Sequence, residues 1–201
     1  MTVVDLDGTL LKGNSFRWFT GFVLPRAIRR APFRWIVLCG WLLLRMLRLC
    51  SHRRLKWEVM KTADRVLSPE DYNRFAHVMQ GHISHTVLAM LPTDSEPVVA
   101  SAASIEYVAP FVELMGWTRF VATCRPASGR FRDYTECRGE RKVRAIRKHF
   151  PGDEISVVFT DHVDDLPLLL ASSGRRILIN PSATTVMTVK GAGLIVEIVP
   201  A

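Results

Sequence analysis

The chain has 201 residues, 48% of them apolar, which is enough to bury a core in one ordinary domain or in a core with a modest insertion, and argues against intrinsic disorder. It carries 27 Lys plus Arg against 19 Asp plus Glu, a balance that favours partners bearing phosphate without choosing among metabolite, anionic lipid and nucleic acid. Cys39, Cys50, Cys124 and Cys137 lie scattered with no CxxC spacing, a pattern that suggests neither a zinc site nor a dense disulfide framework.

The first predicted strand is Val3-Val4. Met1 leads straight into it with no basic start and no small-residue cleavage site, so no secretory leader is expected and a cytosolic location is the default. Asp5 and Asp7 close this strand two residues apart, and a strand that breaks at Gly8 can swing both carboxylates toward one point. Two acids this close repel unless a divalent cation sits between them, and hard oxygen ligands suit magnesium. Gly8 and Thr9 could then offer backbone amides and a hydroxyl to phosphate oxygens.

From about Asn14 to Met90 the pattern reads as helical throughout, as in an inserted cap. Its longest uncharged apolar run, Trp35 to Leu44, falls short of the roughly 20 residues that span a bilayer, and Arg45 and Arg48 follow. No transmembrane helix is expected; an interfacial helix stays open. Taken as one helix, Phe33 to Leu49 puts Arg34, Arg45, Arg48 and Trp41 on one narrow face of an otherwise apolar surface. One reading buries this helix against its neighbours with the arginines exposed. The other sets Trp18, Trp35, Trp41, Trp57 and the arginines against a lipid surface or an amphiphilic phosphate.

Further along the cap, Ser68-Pro69-Glu70-Asp71 has the form of a capping box and opens a helix to about Ser84. His52, His77, His82 and His85 have no metal-ligand spacing and read as ordinary surface or core residues. Leu91 to Pro97, with two prolines, is the linker back into the sheet.

Strand-like runs recur at Val98-Val99-Ala100, Phe120-Val121-Ala122, Ile155 to Phe159 and Ile177-Leu178-Ile179, mostly separated by helical patterns. That alternation predicts a parallel α/β sheet, whose ligands sit beyond the carboxyl ends of the strands. Ser101 closes the second run, with a helix opening over Ala102 to Val108, and Ser104 reads as that helix's cap. Arg130 to Cys137, after the Pro126-Ala127-Ser128-Gly129 turn, reads as the return arm of a hairpin begun near Phe120. Lys142 stands near a helix start, where in isolation it is one more lysine of a basic helix. Thr160-Asp161-His162-Val163-Asp164-Asp165 follows the fourth run.

Asp5-Leu6-Asp7-Gly8-Thr9-Leu10 resembles the first motif of the haloacid dehalogenase-like hydrolase superfamily. Ser101, Lys142 and the Asp161/Asp165 pair resemble, in order, its three later motifs, and the placement of the helical insertion is most similar to the phosphoserine-phosphatase branch. The resemblance implies a Rossmann-like parallel core over residues 1–13 and 91–201 and an all-helical cap over 14–90. It implies Asp5 as nucleophile, Asp7 as acid and base, and Ser101 and Lys142 as phosphate ligands. Magnesium would be held by Asp5, Asp7 through its carbonyl, and Asp161, with Asp165 supporting the metal or the lysine. Thr160 and His162 depart from the Gly and Ser of the fourth motif, and Asp164 receives no role.

Asp7 favours phosphate chemistry over dehalogenation, because a leaving alkoxide needs a proton and a halide does not. The expected substrate is a small or amphiphilic phosphomonoester. The greasy, arginine-rich cap is also similar to that of phosphatidylglycerophosphatases, which implies a lipid phosphate and a site peripheral to the inner membrane face as the second reading. A non-catalytic binding member of the fold is a third. No nucleic-acid partner is expected, since no separate basic, aromatic-rich module is present.

Overall fold

The computed structural model describes residues 1–200. Its six parallel strands are β1 (Thr2–Asp5), β2 (Val98–Ser104), β3 (Phe120–Thr123), β4 (Val157–Thr160), β5 (Arg175–Ile179) and β6 (Glu197–Val199), in the spatial order β3-β2-β1-β4-β5-β6. The chain winds outward from β1 to one side through β2 and β3, then to the other through β4, β5 and β6. The order therefore reverses between β1 and β4, and the crevice at their carboxyl ends is where such a sheet takes ligands.

Strand residues alternate between two apolar layers because successive side chains leave opposite faces of the sheet. Val4, Val99, Phe159, Ile177 and Ile179 join the larger core, shared with the inserted helices. Val3, Val98, Val121, Val158 and Leu178 join the smaller one, beneath α7 (Glu140–His149), α8 (Leu166–Ala171) and α9 (Ala183–Gly191). Covered on both sides, the central strands read as continuous apolar runs. The sixth strand lay outside the expected set: it sits on the edge, with Glu197 and Ile198 exposed, so no buried run announces it.

Between β1 and β2 the chain forms α1 (Ser15–Arg30), α2 (Pro32–Met46), α3 (His52–Val66), α4 (Pro69–Gln80) and α5 (His85–Met90). Asn14 and Ser51 cap α1 and α3, their side chains accepting from the amides of Arg17 and Arg54. An aromatic cluster ties these helices to α6 (Ile105–Leu114): the Phe19 ring lies 4.6 Å from that of Tyr107 and 5.0 Å from that of Phe75.

Three expectations need correction. Arg130 to Cys137 is no return strand. It makes a 3-10 turn at Phe131–Asp133, and Phe131 and Tyr134 pack their rings on Trp57 of α3, so aromatic burial replaces edge pairing. The helix opened by Ser68 ends at Gln80 instead of near Ser84, because the chain is drawn to the loop after β1: the Lys12 amide donates to the His82 carbonyl at 2.8 Å and the Ser84 amide to that of Leu10 at 2.8 Å. The third concerns α2, which ends before Arg48, a residue in the left-handed region at φ 59°. Leu38 is its one fully buried residue, so the helix is not sunk among its neighbours. The tryptophans turn inward, Trp57 onto Tyr134 and Trp18 onto His82, while phenylalanine, isoleucine and leucine face out.

The capping box of α4 also anchors a charge cluster. Buried Asp71 accepts from the Ser68 amide at 3.2 Å, from Arg26 Nε at 3.1 Å and from Arg30 at 2.6 Å. Burial alone would raise its pKa, but these donors outweigh it and pull it down to about 2 from the ordinary 3.8. A depressed carboxylate adds stability above its unfolded pKa and loses it as pH falls through the folded one. Asp71→Ala is therefore expected to cost about 3 kcal/mol at pH 7 by urea unfolding, through lost charge-assisted bonds and a lost cap. The gap to the parent protein should close between pH 4 and pH 2; a gap unchanged at pH 2 would contradict the assignment.

Candidate active site

The carboxyl ends of β1, β2 and β4 open on one cleft, which is lined by Asp5, Asp7, Ser101, Lys142, Asp161 and Asp165. Residues far apart in sequence meet there because the parallel sheet brings all its strand ends to one edge.

Lys142, in the first turn of α7, is 3% exposed. Its Nζ donates to Asp5 Oδ1 at 2.7 Å and lies 2.7 and 2.8 Å from the two carboxylate oxygens of Asp165. It is thus no surface lysine of a basic helix. Burial would lower its pKa, but Asp5 and Asp165 raise it above its usual value, so the ammonium stays charged. Thr160, where the family pattern has glycine, donates its hydroxyl to Asp165 Oδ2 at 2.9 Å and accepts from the His162 amide at 3.3 Å. Of the two roles expected for Asp165, the contacts it makes are those with the lysine: its carboxylate meets Lys142 through both oxygens and Thr160 through Oδ2. Asp164 pairs with Arg138, and its carboxylate lies 2.8 Å from His162 Nδ1.

Asp7 Oδ1 accepts from the Ser15 amide at 2.6 Å, at the first turn of α1 where the exposed amides favour negative charge. Ser101 accepts from the Ala103 amide at 3.0 Å, which leaves its own O–H to donate. The helix after β2 begins at Ile105, later than expected, and Ser104 precedes it without a capping bond, its hydroxyl donating to Glu106 at 2.5 Å.

Neither Gly8 nor Thr9 is among the residues lining this cleft. The Gly8 amide already donates to the carbonyls of Leu11 at 3.0 Å and Gly13 at 2.9 Å, and the Thr9 hydroxyl is buried without a partner. The glycine is required for another reason. It sits at φ +79°, and a Cβ there would lie 2.2 Å from Asp161 Oδ2, so the Asp161 carboxylate packs on bare backbone.

Sequence reasoning missed the contribution of the inserted helices. Lys56 of α3 reaches across to donate to the Ala102 carbonyl at 3.3 Å and pairs with Glu136. His52, read from sequence as ordinary, lines the cleft one helical turn before Lys56, and Asn14 and Arg138 line it too. The four-residue spacing of His52 and Lys56 shows a shared helix face, but nothing in the sequence says that this face meets the strand ends.

The carboxylates are crowded. Asp5, Asp7 and Asp161 all have raised pKa values, with burial the first cause in each; Asp165 and Asp161 push Asp5 further up against the pull of Lys142. Lys56 offers little relief, being matched by Glu136. Among the described residues no three His, Cys, Asp or Glu side chains gather as a metal cluster. The implied donor set, two carboxylates and the Asp7 carbonyl, does not need three. All-oxygen donors and an excess of buried negative charge fit a hard divalent cation.

The model of the haloacid dehalogenase-like hydrolase family matches residues 2–170. No curated protein matches the chain. Among solved structures, a protein of unknown function from Bordetella pertussis Tohama I aligns at a TM-score of 0.71 and 21% identity, over 98% of this chain and 97% of that one. A HAD family hydrolase from Salmonella enterica serovar Typhi aligns at 0.62 and 11% identity, over 98% and 66%. A predicted phosphatase from Clostridium acetobutylicum aligns at 0.54 and 13% identity, over 98% and 92%. At these identities the likeness is one of fold.

Proposed function

The chain belongs to the haloacid dehalogenase-like hydrolases, and from that premise we propose that it is a magnesium-dependent phosphomonoester hydrolase with Asp5 as its nucleophile. The observation that carries this reading is Asp5 at the end of the central strand, 2.7 Å from the buried Lys142 ammonium, with Asp7, Ser101 and Asp161 lining the same cleft.

A carboxylate oxygen of Asp5 attacks phosphorus as the bond from phosphorus to the leaving alcohol breaks, giving an aspartyl-phosphate and splitting one hard displacement into two easier ones. Asp7 gives its proton to the departing oxygen. Its burial-raised pKa suits an acid at neutral pH, and the Ser15 amide fixes its orientation. The same carboxylate then takes a proton from the water that attacks the aspartyl-phosphate, so Asp5 and Asp7 return to their starting states. Ser101 and Lys142 stabilise the phosphoryl oxygens, and Asp165 with Thr160 positions the lysine. Magnesium bound through Asp5, Asp161 and the Asp7 carbonyl would supply charge neutralisation between the anionic nucleophile and the anionic substrate.

We assign residues 1–13 and 91–201 to the catalytic core and 14–90 to a cap that recognises the substrate, since Asn14, His52 and Lys56 reach the cleft from the inserted segment. The phosphoserine-phosphatase branch remains our reading of that arrangement. The substrate class is a small or amphiphilic phosphate. Turnover of p-nitrophenyl phosphate is expected with magnesium, to be lost in EDTA and restored by added magnesium. A folded protein that turns over none of a broad panel of phosphomonoesters in magnesium would overturn the reading in favour of a binding role.

A further inference from the structure

We propose that the outward face of α2 is a docking surface for an anionic phospholipid bilayer. Phe33, Ile36, Leu43 and Leu47 are 74%, 61%, 55% and 59% exposed. They recur at helical spacing, so they form one outward stripe. Met46 and Leu49 extend it at the carboxyl-terminal end, both largely exposed. A monomeric protein seldom leaves an apolar strip of this kind to water.

The charge around the strip selects the occupant. Between Asp7 and Glu58 the sequence contains no acidic residue and eleven Lys and Arg. Exposed arginines stand at both ends of the stripe, Arg29 in the last turn of α1 and Arg48 at the turn after α2, while Arg34 and Arg45 are half-buried on the opposite side of the helix with Leu38. A second copy of the chain would bring the same cations to the same stripe, with no acid in the segment to pair them. Nucleic acid offers phosphate but no apolar layer for Phe33, Ile36, Leu43 and Leu47. An anionic bilayer offers both at the right depths: acyl chains for the stripe and headgroup phosphates for arginines, whose stems lie along apolar surface while the guanidinium stays in the polar layer. α2, with 15 residues, is too short to cross a membrane, and no described helix is long and apolar enough to do so, so the contact is with one leaflet.

The docked face leads directly to the cleft. Leu49 precedes by three residues His52, which lines it. A bilayer engaged by α2 therefore holds the cleft close to the headgroup layer, where an amphiphilic phosphate would be presented. This consequence for substrate rests on the phosphatase reading; the docking does not.

Flotation of the full chain with phosphatidylglycerol/phosphatidylcholine vesicles tests it, against pure phosphatidylcholine and free inorganic phosphate. The chain should float with the anionic vesicles, much less with the neutral ones, and unaffected by phosphate. Ile36→Glu/Leu43→Glu should lower the bound fraction about tenfold or more, while p-nitrophenyl phosphate hydrolysis stays at the parent rate, since neither residue lines the cleft. Arg29→Gln/Arg48→Gln should erase the preference for anionic over neutral vesicles. Absence of flotation with anionic vesicles would overturn the proposal, as would a dimer in solution that Ile36→Glu/Leu43→Glu dissociates without any vesicle binding. Asp5→Asn should float like the parent chain, so a failure of catalysis and a failure of docking are read separately.

Discussion

Asp5→Asn is expected to reduce magnesium-dependent phosphomonoester hydrolysis by at least about 10⁴-fold while leaving the protein folded. The amide matches the carboxylate in shape, so β1 and its pairing with β2 and β4 are undisturbed. It is not a nucleophile toward phosphorus, so the first displacement has no substitute. The fold should tolerate the change because Asp5 stands in a surplus of negative charge: burial, Asp165 and Asp161 all raise its pKa. Removing its charge relieves that repulsion, and Lys142 keeps Asp165 as partner at 2.7 Å. Steady-state hydrolysis and urea unfolding, measured on the same preparation, separate the two effects. Retained magnesium-dependent turnover in a well-folded Asp5→Asn protein would sink the nucleophile assignment.

The residues of this site could be named from sequence because a parallel sheet couples chemistry to strand ends: a polar residue directly after an apolar run arrives at the shared edge whatever the loops do. Asp5, Ser101 and Asp161 each follow such a run. Lys142 carried no such signal, and only its match to a family motif distinguished it from its basic neighbours. Residues whose role depends on packing across elements stayed hidden. Lys56 belongs to the cleft because α3 lies over Ala102 and Glu136, a tertiary fact that helix periodicity does not encode. Thr160 read as a departure from a pattern, yet its hydroxyl holds Asp165. Gly8 read as an amide donor to phosphate, whereas its requirement comes from the approach of Asp161, a residue from the far side of the sequence. For α2 both fates stayed open for a related reason: amphipathic spacing identifies an apolar stripe and does not say whether another element covers it.

Lys142→Met is expected to lower turnover by about 10³-fold and to change how stability depends on pH. Methionine fills a similar volume without charge, leaving Asp5 and Asp165 buried with no cation between them. Removing one partner of a buried ion pair costs about 3–5 kcal/mol when the other must stay charged. Protonation offers an escape. In the parent protein, Lys142 opposes the burial and like-charge repulsion that raise the Asp5 pKa, so its loss drives that pKa higher still. A carboxyl whose folded pKa exceeds its unfolded value binds protons more tightly in the native state, so stability falls as pH rises between the two values. Urea midpoints in EDTA should therefore show the variant losing stability from pH 5 to pH 8 more steeply than the parent chain. Adding Asp165→Asn should recover much of the stability at pH 8 and none of the turnover, because it removes a stranded charge without restoring a phosphate ligand. Recovery of activity in the double variant would mean that Lys142 matters only as a counter-ion to the acids, and the phosphate role assigned to it would fall.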